Sequence, residues 1–278
     1  MNIIEILKVV IFGIVEGITE WLPISSTGHM IILEEYLDVT SIFIGGRAFW
    51  DFFLVAIQLG AVFAVIVCYF NKLNPLIKDK EKRKSSWLLW AKVLVACLPA
   101  AFIGLLFDDF LEEYLYNYFI VALMLIIYGV LFIVIEFINK RRSFRVDNVK
   151  NISFKMAFWI GVIQLLALVP GTSRSGVTIL GAVILLCNRD VACEFSFFLA
   201  IPIMFGASIL KIFKYILDYR VFYRTDLLLL FIGIIVSFLV SLLVIKFLLK
   251  YIKTNDFKFF GIYRIILGVL LLLIFIFS

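Results

Sequence analysis

Glu16 and Glu20 stand four residues apart in an otherwise apolar stretch, so a helix places both carboxylates on one face, one turn apart. A bare carboxylate at bilayer depth costs on the order of several kcal/mol. It is accommodated by a proton, a bound cation or a water-filled cavity, unless the pair marks an interfacial helix end that stays in water. Just downstream, Pro23-Ile24-Ser25-Ser26-Thr27-Gly28-His29 offers three hydroxyls and the only histidine of the chain. If a second short helix starts here, Ser25 or Ser26 caps it and His29, three residues beyond Ser26, reaches back toward the cap hydroxyl. Taken singly, each of these residues is explained by capping or by filling a polar gap.

The second chemically informative stretch is Pro170-Gly171-Thr172-Ser173-Arg174-Ser175-Gly176-Val177-Thr178. A guanidinium does not shed its charge, so Arg174 at bilayer depth needs an anion, and its fork suits phosphate or carboxylate. Gly171 lets the backbone approach closely, Ser173 and Ser175 add donors, and a helix starting here presents free N–H groups. The structural alternative is an ion pair between Arg174 and Glu16 or Glu20. If the two loops converge, carboxylates, hydroxyls, one His and one Arg share a cavity suited to a phosphorylated headgroup.

The elements that must carry these loops follow from composition. Of 278 residues, 64% are hydrophobic and 17% charged, against roughly 45–50% and roughly 25% in soluble domains. Mean hydropathy is +1.12. Disorder, a collagen-like repeat, a disulfide scaffold and a soluble enzyme all fit poorly, and the class is all-α, a multi-pass helical membrane protein. Apolar runs near 49–70, 87–107, 114–138, 192–216, 227–250 and 259–277 predict six spans. Two further apolar stretches, 3–37 and 152–186, are each interrupted by Pro, Ser, Thr and Gly. Each reads as helix, polar loop, short helix. Such a break is tolerated in lipid only inside protein or around water, so both are expected to be re-entrant helix–loop–helix hairpins.

The two halves resemble each other. Gly13-Ile14-Val15-Glu16 matches Gly161-Val162-Ile163-Gln164, and Pro23, Ser25 and Gly28 match Pro170, Ser173 and Gly176 at offsets of 147 or 148 residues. A single integral membrane domain, 1–278, is thus expected to comprise a first repeat over 1–138 and a second over 152–278, each a hairpin plus three spans. Three spans is odd, so the second copy enters from the opposite side as an inverted repeat. With loop 71–86 taken as cytoplasmic, the cytoplasmic breaks hold sixteen Lys and Arg, including Lys78 to Lys84 and Lys140 to Arg145. The opposite face holds five, Arg47, Lys211, Lys214, Arg220 and Arg224, beside an acidic loop with Asp108, Asp109, Glu112 and Glu113. That asymmetry obeys the positive-inside rule and turns both termini outward.

The formal charge of +6 sits in these short breaks without an aromatic–basic module, which argues against nucleic acid as a partner. Cys68, Cys97, Cys187 and Cys193 lack metal-ligand spacing and read as small buried hydrophobes. Glu5 and Glu16 inside the first apolar stretch, with no small-residue cleavage site behind it, argue against a removable signal peptide.

Glu16-Gly17-Ile18-Thr19-Glu20, Pro23 to His29 and Pro170 to Thr178 resemble the signatures of the undecaprenyl-diphosphatase family, also called bacitracin-resistance proteins, and the resemblance runs the length of the chain. It implies a bacterial plasma-membrane hydrolase that removes the terminal phosphate of undecaprenyl diphosphate, so that the monophosphate carrier returns to cell-wall synthesis. It also implies an active site opening to the outer face. By the resemblance, Glu20, His29 and Arg174 correspond to essential residues, Ser26 to a proposed nucleophile, and Glu16 and Ser173 to supporting members.

The implied chemistry is phosphoryl transfer, in which positioning and charge neutralisation dominate. Ser26 would attack the terminal phosphorus with His29 as general base, or His29 would activate water directly. Ser25, Thr27, Gly171, Thr172, Ser173, Arg174, Ser175 and Thr178 would bind the phosphates, and Glu16 and Glu20 would hold Mg²⁺ or Ca²⁺. The expected partners are a polyprenyl diphosphate and the surrounding lipids; whether the chain forms a homodimer stays open. Lipid phosphatases that use a Ser-Gly-His triplet with a second His are excluded, because His29 stands alone. The rival class is a transporter or flippase of a phosphorylated lipid or other anion, since inverted repeats with broken helices also build transporters.

Overall fold

A computed structural model describes residues 2–37, 42–115, 117–140, 142–219 and 221–277, with the side chains of 105 and 108–113 outside the description. Arg141, Arg220 and the carboxylates of Asp108, Asp109, Glu112 and Glu113 therefore lie outside the described residues. The elements are α1 (Ile3–Thr19), α2 (Ser26–Tyr36), α3 (Gly46–Cys68), the single turn α4 (Phe70–Leu73), α5 (Lys80–Leu115), α6 (Tyr118–Asn139), α7 (Phe154–Gln164), α8 (Arg174–Ile184), α9 (Arg189–Tyr219), α10 (Arg224–Ile252) and α11 (Lys258–Phe277). No strand occurs among the described residues.

Six helices are long and apolar enough to cross a membrane, and they fall on the six predicted runs: Gly46–Cys68, Lys80–Gly104, Tyr118–Asn139, Arg189–Tyr219, Arg224–Ile252 and Lys258–Phe277. Their mean hydropathies run from 1.8 to 3.2. The chain is a multi-pass helical membrane protein. One boundary differs from expectation: the acidic stretch read as a loop continues α5 as far as Leu115. Asp and Glu carry only a modest helix penalty, and their charge alone does not break a helix.

The two interrupted stretches fold as helix, loop, helix. At about 1.5 Å per residue, the 11 residues of α7 or α8 reach about 16 Å, near half of a hydrocarbon core about 30 Å thick. Each hairpin packs on a span from the other end of the sequence. α1 lies along α10 and α7 along α5, while α3 packs on α9 and α6 on α11.

The contacts sort the breaks into two ends. At one end the Lys72 Nζ pairs with Glu194, Arg189 clamps Glu136 through two nitrogens, and the Phe257 N–H donates to the same carboxylate at 3.1 Å. At the other, buried Asp226 accepts from the Ile44 and Gly45 amides at 2.9 and 2.8 Å, and Arg47 pairs with Glu34 and Asp51. Apart from Arg47–Asp51, which lies within α3, each of these pairs joins segments that the charge count had put on the same face.

Candidate active site

The loops of the two hairpins meet. Glu20, at the end of α1, is buried and divides its two oxygens between them. Oε1 accepts from Arg174 Nη2 at 2.6 Å, and Oε2 accepts from the Ser26 hydroxyl at 2.9 Å. Arg174 begins α8 and spends its second nitrogen on the Ser196 carbonyl of α9 at 2.9 Å, with its guanidinium 5.8 Å from the centre of the Trp21 ring. The ion pair named above as the structural alternative is thus formed, with Glu20. Arg174 Nε is nonetheless buried and without a hydrogen-bond partner among the described residues.

Both short helices start by the same device. Ser25 and Ser173 have φ of 73° and 72°, a left-handed conformation that costs a non-glycine residue of order 1–3 kcal/mol. Each side chain accepts the N–H three residues on, from Gly28 at 3.4 Å and Gly176 at 3.1 Å, and so caps α2 and α8. The free amides of both helix N-termini therefore open where the loops meet.

The turn at Ser25 also decides where His29 goes. Its carbonyl lies 2.7 Å from His29 Nδ1. The imidazole consequently does not reach Ser26, whose hydroxyl is held by Glu20; its other nitrogen, Nε2, lies 2.7 Å from the Tyr263 hydroxyl. In this arrangement the base within reach of Ser26 is Glu20.

Glu16 is buried one turn before Glu20, and its Oε1 has no hydrogen-bond partner among the described residues. A carboxylate oxygen left in that state calls for a proton or a cation. No cluster of three or more His, Cys, Asp or Glu exists among the described residues, so the carboxylates on offer to an ion here are the Glu16–Glu20 pair. That donor set suits Mg²⁺, which takes one or two carboxylates and completes its shell with substrate phosphate and water.

The remaining expected phosphate ligands divide. Ser173 and Ser175 face each other at 3.2 Å, and Ser175 also reaches the Leu22 carbonyl of the first loop at 3.5 Å. Thr27 is half-buried in the first turn of α2. Thr172 is wholly buried with Oγ1 unpartnered among the described residues. Gly171 has φ 85°, and a Cβ there would sit 2.5 Å from the Val121 carbonyl, so conformation and space both demand glycine. The Thr178 hydroxyl is used elsewhere, on the Arg174 carbonyl at 2.9 Å and Ser196 Oγ at 2.6 Å, which ties α8 to α9.

Two neighbours on α11 were not singled out from the sequence. Arg264 is fully buried, and its guanidinium donates to the Pro23 carbonyl of the first loop at 3.3 Å and to the Gly171 and Thr172 carbonyls of the second at 3.0 and 2.9 Å. One side chain thereby ties the loops together, with the Tyr128 ring 5.7 Å from its cationic carbon. Tyr263 meets His29 as described. The available signal was a charge inside the run 259–277, since an ionisable residue in a span marks a functional site by default.

Residues 9–270 match the family model described as "Bacitracin resistance protein BacA". Curated relatives named "Undecaprenyl-diphosphatase" match nearly end to end. The protein of Enterococcus faecalis is 52% identical, with 98% of each chain covered, and that of Streptococcus mutans 52%, covering 98% of this chain and 96% of its own. That of Acetivibrio thermocellus is 51% identical over 98% of each. With agreement along the whole sequence and the quoted motifs gathered at one place in the fold, the chain belongs to the bacitracin-resistance protein BacA family.

Proposed function

We propose that this protein is an undecaprenyl-diphosphatase that cleaves the terminal phosphate from a polyprenyl diphosphate at the outer face of the bacterial plasma membrane. The observation that carries the reading is the junction itself: Glu20 of one loop holds both Ser26 of its own loop and Arg174 of the other, in a chain 98% covered by relatives of that name.

On binding, the diphosphate takes Arg174 and the amides of α2 and α8, and Arg174 exchanges a carboxylate partner for a phosphate one. Glu20 is then free to take the Ser26 proton as Oγ bonds to the terminal phosphorus. The phosphorus–oxygen bond to the bridging oxygen breaks, and the prenyl monophosphate leaves. Water displaces the Tyr263 hydroxyl from His29 Nε2 and gives that nitrogen a proton as it bonds to phosphorus; the Oγ–phosphorus bond breaks, Oγ regains its proton from Glu20, and inorganic phosphate leaves. Glu16 and Glu20 would hold a Mg²⁺ or Ca²⁺ ion, which when bound supplies positive charge against the diphosphate oxygens.

The outer-face assignment rests on the sixteen-to-five bias of basic residues. The shortness of α2, α7 and α8 supports hairpins that enter and leave by one leaflet, and the crossed pairing of α1 with α10 and of α7 with α5 supports an inverted repeat of 1–138 and 152–278. Pure protein in detergent, where no compartments exist, tests the activity. Wild type is expected to release inorganic phosphate from a polyprenyl diphosphate, and Arg174→Ala to do so at least about 100-fold more slowly. A folded Arg174→Ala protein within about twofold of wild type overturns the proposal.

A further inference from the structure

Tyr263 and His29 form a defined pair. The Ser25 carbonyl 2.7 Å from Nδ1 only accepts, so Nδ1 carries a hydrogen. In the neutral ring Nε2 is then the acceptor, and the phenol 2.7 Å away donates to it. The two rings lie nearly parallel, with 5° between planes and centroids 5.6 Å apart. A carbonyl on one side and a phenol on the other leave the imidazole one tautomer and one orientation.

We propose that Tyr263 is a positioning residue for the reaction: the Ser25 carbonyl sets the Nδ1–H tautomer of His29, and the Tyr263 hydroxyl holds the ring so that Nε2, the atom that takes the proton, faces one fixed point. The contact is made by α11, a span of the second half, upon α2, a hairpin helix of the first. It thus sets the base of one loop from the body that carries the other. Arg264, the next residue, binds the backbone of both loops through the Pro23 and Gly171 carbonyls. The role rests on the phosphatase reading, whereas the hydrogen bond itself does not.

The lone histidine makes the test direct. In full-length protein labelled with ¹⁵N-histidine in detergent, wild type is expected to give one protonated, pyrrole-type nitrogen and one pyridine-type nitrogen displaced by a hydrogen bond. Tyr263→Phe keeps the ring, and it is expected to lose that displacement while the Ser25 carbonyl keeps the proton on Nδ1. Its kcat for phosphate release should fall about tenfold with KM within about twofold. An unchanged nitrogen spectrum in Tyr263→Phe, or a wild-type Nε2 that carries the proton, overturns the role of Tyr263. A wild-type protein that releases no phosphate overturns the reading of the site instead.

Discussion

At the scale of single residues, Glu20 is the member with the most at stake, because each of its oxygens answers to a different loop. Glu20→Gln keeps the shape but removes the charge that holds Arg174 and the capacity to take a proton. Turnover should fall about 100-fold or more, with the fold retained in circular dichroism. Ser26→Ala separates the two routes to phosphate: a loss on the order of 1,000-fold is expected if the hydroxyl attacks, and near-normal turnover identifies water as the nucleophile. Glu16→Gln replaces the unpartnered oxygen by an amide, so the dependence of rate on Mg²⁺ concentration should shift at least about tenfold upward. An unmoved metal titration would remove Glu16 from the cation site. The identity of these residues was legible in the sequence, but their partners were not. An i, i+3 spacing put His29 on Ser26, whereas the left-handed turn at Ser25 gives the imidazole a backbone carbonyl instead.

At the scale of elements, α11 is more than a span. Its Arg264 satisfies three carbonyls of two loops, and leaving each without a donor costs about 1–3 kcal/mol. Arg264→Met should therefore lower the thermal midpoint in detergent by several degrees and reduce phosphate release about 100-fold. A variant unchanged in both would show that the loops hold together without it. Lys in its place keeps the charge but lacks the fork, and should fall between the two. Spans and hairpins were readable because period, length and hydropathy are local properties. Arg264 was not, because a hydropathy run absorbs one charge, and the carbonyls it serves lie 93 and 241 positions away in the chain. The helical end of α5 escaped for the opposite reason: acidic residues suggest solvent but do not forbid a helix.

At the scale of the whole molecule, sidedness has a direct readout. With the native cysteines replaced, Tyr36→Cys and Asn255→Cys occupy opposite ends of the helical body. An impermeant maleimide added to intact cells should label the first and spare the second; the reverse pattern inverts the orientation. The packing of α1 against α10 has a consequence for how the protein is made. Gly17 abuts the Ser237 carbonyl so closely that a Cβ would approach it to 2.8 Å, and Gly13 meets Gly233 and Val236 in the same way. Helix α1 thus waits for more than 200 further residues before the groove that receives it exists. Until residue 174 is made Glu20 lacks its guanidinium partner, and until α10 is made α1 lacks its groove, so the early chain is expected to rest at the water interface or under a chaperone of the insertion machinery. A protein assembled in this order cannot be matured half at a time, and a ribosome stalled before α10 should leave its first segment open to protease.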